Sequence, residues 1–439
     1  MLKRIKIQGY KSLADVEVHL GHLAVLIGPN ASGKSNFLDA LQLLSRIATY
    51  QTLDEAFDPP YRGYPLESFT FGDEGIKSLL EKESVSFNIE VDVQLSTSVI
   101  EGVNQHIQEI KETAVKGTQS ADKPVSKRAL SVSEKNLRYR IAIEMLPKQG
   151  ILRVADEYLA ALNVKGELNK RRKPFLERIG NLLHLRMEGQ AHPLYYKRYL
   201  DYSILSRSHY PPHYPHLTAM QHELNNWLTF YLEPREQMRL PNPVRSVQDI
   251  GLMGEDLAAF LNTLQALNKR QFESIEKSLH AMIPSITGID VSVNELGEVE
   301  LDLREGEKNV SARILSDGTL RILGLLALVG GEETPTLIGF EEPENGVPPR
   351  QIRRIAKFLE ARRLLERTQY IVTTHSPILP DFIPVEFLHV CRKIKGNTEI
   401  EPFTTLMASI WPKLDIKEAL QDEDELSVSE FILRGDLDA

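Results

Sequence analysis

Residues 26–37 read Leu26-Ile27-Gly28-Pro29-Asn30-Ala31-Ser32-Gly33-Lys34-Ser35-Asn36-Phe37. Before the glycines, the apolar run from Leu23 to Ile27 has the length and composition of a buried strand. After them, apolar residues recur at helical spacing, namely Phe37, Leu38, Leu41, Leu44 and Ala48. A strand, a glycine-containing turn and a helix in this order are the setting of a phosphate-binding loop.

The spacing Gly28-x4-Gly33-Lys34-Ser35 has a chemical reason. Glycines allow the backbone to curl until several N–H groups point at one anion, and the following helix adds its positive N-terminal end. We expect Lys34 to reach the β- and γ-phosphates of a nucleotide and the Ser35 hydroxyl to ligate Mg²⁺. The alternative, a chance match in a glycine-containing loop, is disfavoured by the strand before it and the helix after it. The predicted nucleotide-binding residues here are Asn30, Ala31, Ser32, Gly33, Lys34, Ser35 and Asn36.

Composition sets limits on the function. With 439 residues and 42% hydrophobic content, the chain can form two to three domains with a real core. The net charge of −9 argues against a surface that is basic all over, so nucleic-acid binding would require a local patch. The single cysteine, Cys391, cannot form an internal disulfide and fits a reducing compartment. Met1 to Ile7 lacks a signal-peptide core, and the longest apolar run, Leu320 to Val329, is too short to span a bilayer, so we expect a cytoplasmic protein that does not bind membranes.

Later in the chain, two segments have the character of further site elements. Leu315 to Arg321 opens an apolar helix whose first turn, with Ser316, provides a second anion-binding helix start. Thr336 to Phe340 is a predicted buried strand that ends in Glu341 and Glu342. Adjacent acids at a strand end, within reach of a phosphate loop, suit two roles: Glu341 would hold Mg²⁺ and Glu342 would polarise a water molecule.

A further predicted strand, Tyr370 to Thr374, leads into His375. A histidine at a strand end can contact a γ-phosphate and sense its loss. Taken alone, the Ser316 segment is explained by a plain helix N-cap and His375 by an ordinary loop histidine, whereas a solvated acidic turn does not explain why the two acids end so apolar a strand. Their order along the chain favours a shared site.

These motifs together resemble the ABC-type ATPases of the RecF and SMC kind. Gly28 to Ser35 matches Walker A, Leu315 to Thr319 a variant signature motif, Ile338 to Pro343 Walker B, and Thr373 to Pro377 the switch histidine. The resemblance implies an α/β fold, a P-loop NTPase of ABC type whose mixed sheet is joined to an antiparallel N-terminal lobe and a helical lobe. It also implies ATP and Mg²⁺ as cofactors, with Lys34, Glu342 and His375 in catalysis.

In that family two heads sandwich two ATP molecules, so the resemblance implies a homodimer in which Ser316 and Gly318 contact the nucleotide of the other copy. Lys11, in the turn Lys11-Ser12, resembles the family's basic residue near the nucleotide. Three departures stand out: Glu341 replaces the usual Asp, Thr319 the signature Gln, and Val347-Pro348-Pro349 the usual Leu-His-Pro.

The branch of the family follows from what the chain lacks. Walker A and the signature are too far apart for a transporter head, and no sustained heptads predict the coiled coil of SMC proteins. OLD-family nucleases carry a Toprim domain after the histidine, whereas here only 64 residues follow His375. Two acidic stretches could be compared with the nuclease's acidic residues, but we interpret both as solvated surface: Asp422-Glu423-Asp424 and Asp436-Leu437-Asp438. We therefore expect the branch related to OLD-family and anti-phage ATPases, without a nuclease.

The functional hypothesis is an ATP-driven switch: ATP closes a homodimer, hydrolysis opens it, and DNA or a separate effector protein, for example in bacterial defence, reads the change. The alternatives are a RecF-like repair ATPase acting directly on DNA and an ATP-binding scaffold without turnover. Two stretches could contact nucleic acid, the basic run 170–173 and the aromatic and basic stretch 195–214. Solvated surface and a locally packed proline-rich loop explain them equally well.

The predicted organisation has four parts. Residues 1–165 form the N-terminal part of the ATPase head, with a polar insertion at 97–136 that is helical at its start. Residues 166–285 are a mainly helical intervening region, and 286–395 complete the head with the signature, Walker B and the switch histidine. Residues 396–439 form a tail packed on the head.

Overall fold

The structure, a computed structural model, describes residues 1–72, 75–117, 131–189, 192–328, 335–364, 367–410 and 427–435. The chain divides into two compact units that alternate along the sequence. The first unit comprises Met1–Gly21, Asp39–Trp227 and Ile394–Glu399. The second comprises His22–Leu38, Leu228–Lys393 and Ile400–Ala439.

The strands of the described residues, in chain order, are β1 (Leu2–Tyr10), β2 (Leu13–His19), β3 (Leu23–Ile27), β4 (Val85–Gln94), β5 (Asn136–Leu146), β6 (Ile151–Ala161), β7 (Leu176–Ile179), β8 (Leu182–Leu185), β9 (Leu194–Lys197), β10 (Trp227–Phe230), β11 (Asn242–Pro243), β12 (Ile286–Val293), β13 (Glu298–Glu305), β14 (Lys308–Ser311), β15 (Leu337–Glu341), β16 (Gln369–Thr373), β17 (Leu388–Ile394) and β18 (Asn397–Pro402).

The helices are α1 (Lys34–Thr49), α2 (Leu53–Phe57), α3 (Lys77–Leu80), α4 (Thr97–Gly117), α5 (Pro215–Asn225), α6 (Leu257–Leu267), α7 (Lys269–Met282), α8 (Asp317–Leu328), α9 (Pro349–Arg363), α10 (Phe403–Ile410) and α11 (Val428–Arg434). Within the described part of the chain, no helix is both long enough and apolar enough to cross a membrane.

The first unit is built on an eight-stranded sheet in the order β2-β1-β4-β5-β6-β7-β8-β9, with antiparallel pairing throughout. In β5 the odd-numbered residues, such as Tyr139 and Ile141, are fully buried. Polar residues on the other face form ion pairs, including Arg138 Nε to Asp92 Oδ1 at 2.6 Å. One apolar face and one charged face are typical of an antiparallel sheet that covers a core on one side.

The second unit contains most of a six-stranded sheet in the order β10-β15-β16-β3-β17-β18. The four central strands are parallel, and β3 lies between β16 and β17. Every residue of β3, β15 and β16 is buried, as expected for parallel strands covered on both faces. Because parallel strands end at the same edge of a sheet, this topology brings together the loops that follow β3, β15 and β16.

A small sheet of β11, β13, β12 and β14 completes the second unit. Its hairpin β12–β13 turns at Asn294, whose side-chain oxygen accepts hydrogen bonds from the backbone N–H groups of Leu296 and Glu298.

The prediction of a mainly helical region at 166–285 is wrong in its first part. Residues 176–197, assigned to a mainly helical region, form the short strands β7, β8 and β9, which extend the antiparallel sheet of the first unit beyond β6. In the same region α6 and α7 are separate helices, since Asn268 ends α6 and caps α7 by accepting a hydrogen bond from the Gln271 N–H.

The start of the polar insertion is helical, as predicted, and forms α4. Residues 118–130 of that insertion lie outside the described residues, as do both acidic stretches weighed as nuclease ligands, 422–424 and 436–438.

Candidate nucleotide-binding site

The loop after β3 has the backbone of an anion cradle. Gly28 and Gly33 adopt positive φ angles of 147° and 106°, and Ala31 lies in the left-handed region at 63°. A Cβ atom at Gly28 would lie 2.2 Å from the carbonyl oxygen of Cys391 on the neighbouring strand β17. Only glycine fits there, because the obstacle is backbone. For Ala31 the left-handed conformation costs about 1–2 kcal/mol, which the surrounding loop must offset.

Lys34 begins α1 directly after this loop and is buried. Its Nζ donates hydrogen bonds to the carbonyl oxygens of Gly28, at 2.7 Å, and Pro29, at 2.9 Å. Burial lowers the pKa of the Lys34 ammonium, and the negative charges of Glu342 and Glu341 partly oppose that shift. The lysine therefore lies in the electrostatic field of the two acids.

Ser35 and Glu341 meet at the edge of the parallel sheet. Glu341 is the buried last residue of β15, and the Ser35 hydroxyl donates a hydrogen bond to its Oε1 atom. A hydroxyl and a carboxylate oxygen in contact form a donor set that suits a hard divalent cation such as Mg²⁺. The two residues predicted as metal ligands are thus adjacent.

Glu342 and His375 form a second pair at the same edge. The Glu342 N–H donates to the carbonyl oxygen of Thr373 at 2.9 Å, and its φ of 49° turns the chain sharply away from β15. The His375 Nδ1 atom lies 2.7 Å from Glu342 Oε1. Since the two side chains remain 28% and 42% exposed, the pair is accessible to water and to a ligand.

Ser316 occupies the N-cap position of α8. Its hydroxyl accepts a hydrogen bond from the Thr319 N–H at 3.1 Å, and the side chain is exposed. A Cβ atom at Gly318 would lie 2.4 Å from the carbonyl oxygen of Gly346, so α8 begins in close contact with the turn that follows β15. Ser316 is therefore open to solvent, whereas Gly318 is buried against this turn.

Two arginines that the sequence analysis missed hold this helix start. Arg239 donates to Asp317 Oδ1 at 2.7 Å and to the carbonyl oxygens of Leu315 and Arg313. Arg235 donates to Asp317 Oδ2 at 2.9 Å. They precede Asp317 by roughly 80 positions, and no local pattern links the two segments.

Lys11, the last predicted nucleotide contact, belongs to the first unit. Its Nζ lies 2.7 Å from Asp39 Oδ2 and 5.1 Å from the centre of the Tyr61 ring. The lysine is thus paired within its own unit, and its contact with a nucleotide stays a prediction.

The stretches considered for nucleic-acid binding also have internal partners in the first unit. From the basic run, Arg172 pairs with Glu188 at 2.5 Å and with Glu134 at 3.2 Å. In the aromatic stretch, Arg207 stacks 3.6 Å from the Tyr202 ring centre. These contacts account for both arginines structurally.

Comparison with known proteins gives two family matches. The family described as "AAA ATPase domain" matches residues 1–167, and the family described as "AAA domain, putative AbiEii toxin, Type IV TA system" matches residues 189–381. The chromosome partition protein Smc of Desulfitobacterium hafniense (strain Y51) is 38% identical over 87 residues. That match covers 19% of this chain and only 7% of Smc.

Among solved structures, an SMC head bound to the C-terminal winged-helix domain of ScpA is similar with a TM-score of 0.50 and 11% identity, over 91% of this chain and 96% of that one. An SMC head domain from Thermotoga maritima matches with a TM-score of 0.40 and 14% identity, over 91% and 98% of the two chains.

The structure has an SMC-head-like fold, which is consistent with a P-loop NTPase of the ABC type. Together with this fold, the two AAA family matches support the predicted resemblance to RecF/SMC-like ATPases. The fold class and the family resemblance predicted from the motifs are confirmed.

Proposed function

We propose that this protein binds ATP with Mg²⁺, hydrolyses it, and uses the nucleotide to switch a homodimer between closed and open states. One observation carries the proposal: Lys34, the Ser35–Glu341 contact and the Glu342–His375 pair lie at one edge of the parallel sheet in the second unit. Fold similarity alone would not supply these contacts.

The chemistry assigned to each residue follows from its position. Lys34 exchanges its bonds to the loop carbonyls for β- and γ-phosphate oxygens, a charge-assisted contact that is stronger. Ser35 and Glu341 hold Mg²⁺, which neutralises phosphate charge when bound. Glu342 accepts the proton of the attacking water, and His375 orients the carboxylate through Nδ1.

For the dimer, the supporting observation is the exposure of the α8 start. Ser316 is exposed, and the preceding Ile314 is 75% exposed although it is a large apolar residue. A second copy approaching this face would bring its own nucleotide to Ser316, with Gly318 keeping the helix start in place. The similar SMC head was crystallised with a domain of a separate protein. The partner that we propose is a separate effector protein of a defence system that binds the closed dimer.

Mass photometry with and without ATP tests the proposal. We expect Glu342→Gln to bind ATP and accumulate as a dimer, because the water is no longer activated and the closed state persists. Lys34→Ala, which loses the phosphate contact, stays monomeric under the same conditions. If Glu342→Gln has the same oligomeric state with and without ATP, the proposed switch is contradicted. Phosphate release by the wild type decides against a scaffold that binds ATP without turnover.

A second candidate, direct action on DNA, is favoured by one surface. Helix α9 carries Arg350, Arg353, Arg354 and Lys357 at the spacing i, i+3, i+4 and i+7, all exposed. No ion pair joins these four side chains to a carboxylate of the described residues. In a chain of net charge −9, this basic stripe is the kind of local patch that a phosphate backbone requires.

The stripe can be compared directly with the basic run of the first unit. Arg350→Glu with Lys357→Glu should abolish DNA-stimulated hydrolysis if the protein is a repair ATPase, whereas Lys170→Glu with Lys173→Glu should not. Weaker dependence of DNA affinity on salt in the α9 variant would support backbone contacts. If neither double variant changes DNA-dependent activity, a protein partner is favoured.

A further inference from the structure

The turn after β15 contains a third acid, Glu344, which differs from the exposed Glu342. Its side chain is 5% exposed, and its Oε1 atom accepts a hydrogen bond from the Thr374 hydroxyl. The Oε2 atom is buried and has no hydrogen-bond partner among the described residues. Burying a carboxyl group with one oxygen unsatisfied is unfavourable, and the Thr374 hydroxyl provides a partner for the other oxygen.

Thr374 is fully buried and directly precedes His375. Its N–H donates to the carbonyl oxygen of Leu26, at 3.0 Å, on the strand that enters the phosphate loop. Its hydroxyl oxygen accepts a hydrogen bond from the Ser376 N–H, also at 3.0 Å. The hydroxyl therefore ties Glu344 to the backbone on both sides of the histidine.

The same turn contacts α8 at its other end. Gly346, at a φ of 75°, places its carbonyl oxygen against Gly318, and the Val347 N–H donates to the carbonyl oxygen of Glu344 at 2.9 Å. Residues 342–347 thus link the Glu342–His375 pair to the start of α8. Glu342 contacts His375 directly, whereas the Glu344 side chain bonds to Thr374, the residue before the histidine.

We propose that Glu344 is a positioning residue for ATP hydrolysis, which holds the His375 loop against the turn after β15 through Thr374. This proposal rests on the proposed hydrolysis. The bond fixes the backbone on both sides of His375, so that Nδ1 stays 2.7 Å from Glu342 Oε1. Glu344 itself touches neither the nucleotide nor the water.

Steady-state kinetics separate positioning from general stability. Glu344→Ala and Thr374→Val should lower kcat by about 10- to 100-fold, because displacing a reacting group by roughly 1 Å has effects of that size. The KM for ATP should change by less than about twofold, since the phosphate contacts are intact. Glu344→Gln and Thr374→Ser keep the hydrogen bond and should restore most of kcat. Glu295→Ala, at an exposed hairpin tip, is the matched acid-to-alanine control.

Hydrogen exchange gives a readout that needs no turnover. In the nucleotide-free protein, a peptide covering residues 375–379 should exchange faster in Glu344→Ala and Thr374→Val than in the wild type. A peptide covering 286–305 should not change. If the wild type releases no phosphate, hydrolysis is refuted, while the exchange experiment still decides whether Glu344 holds the loop.

Three outcomes would overturn the positioning role. The first is a rate of hydrogen exchange in the 375–379 peptide of Glu344→Ala that equals the wild-type rate. The second is an unchanged kcat in that variant when the wild type is active. The third is a parallel loss of kcat, ATP affinity and thermal stability without rescue by Glu344→Gln, which would make the residue a general structural element.

Discussion

The contact between Gly318 and Gly346 yields a sharp prediction about Gly318→Ala. The added Cβ atom would lie 2.4 Å from the Gly346 carbonyl oxygen and 3.2 Å from the Val347 Cα atom. Distances below 3.0 Å are essentially never seen for real Cβ atoms, so the two segments must separate. Because the obstacle is backbone, no side-chain rotation can relieve the clash.

The magnitude follows from two opposing effects. Overpacking of a well-packed site costs about 1–3 kcal/mol. Alanine is a better helix former than glycine by up to about 1 kcal/mol, but Gly318 lies in the first turn of α8, where that gain is smaller. We therefore expect a net loss of about 1–2 kcal/mol in the free energy of unfolding. For a unit of this size that lowers Tm by about 2–8 °C.

Gly324→Ala, in the same helix, is the matched control. There the nearest atoms are Leu232 Cδ1 and Met238 Cε, each at 2.9 Å, and both lie at the ends of flexible side chains. Their adjustment and the gain in helix propensity should nearly cancel. Thermal unfolding and phosphate release of both variants provide the assay. If Gly318→Ala unfolds and hydrolyses ATP like the wild type, the close contact between α8 and the turn after β15 is refuted.

Three other predictions concern single sites. Glu342→Gln should lower ATP turnover, measured by phosphate release, by about 100-fold or more. It should change the free energy of unfolding, measured by thermal unfolding, by less than about 1 kcal/mol, because the pair of Glu342 with His375 is partly exposed. Arg239→Ala should lower the free energy of unfolding, measured with urea, by about 1–3 kcal/mol, because Arg239 donates three hydrogen bonds to the start of α8. Arg235→Ala should lower it by less than about 0.5 kcal/mol, because the Arg235 side chain is 82% exposed. Burial raises the pKa of the Cys391 thiol from near 9 to about 12, so its contribution to stability is complete below pH 9 and is lost as the pH rises towards 12. A thiol reagent at pH 8 should label Cys391 only after denaturation, and labelling of the native protein would contradict its burial.

The parts of the site within one local motif were predictable from the sequence. Glycine spacing and the apolar run before it located the phosphate loop, since both depend on neighbours along the chain. The positions of Glu341 and His375 at strand ends were also inferred, because buried five-residue strands have a recognisable composition. Their shared edge required parallel pairing, which the family resemblance supplied.

The contacts between distant segments were not predictable. Nothing in the local pattern around Glu344 indicates that it lies inside the protein and bonds to Thr374, since the register between β15 and β16 sets that contact. Likewise, Arg239 and Asp317 meet only through tertiary folding. The missed strands β7 to β9 are four residues each, too short for periodicity to separate strand from helix. The break at Asn268 did carry a signal, because asparagine is a preferred helix cap.

The place of β3 between β16 and β17 bears on how the protein is made. Residues 28–368 separate β3 from β16, so a ribosome releases β3 long before either neighbour of that strand. At about 5–20 residues per second, β3 waits roughly 20–70 s for its partners. Throughout that interval the five consecutive apolar residues of β3 lack the two strands that flank them in the folded protein. Truncated products that end before residue 369 would lack both flanking strands and be unable to form the phosphate loop's sheet.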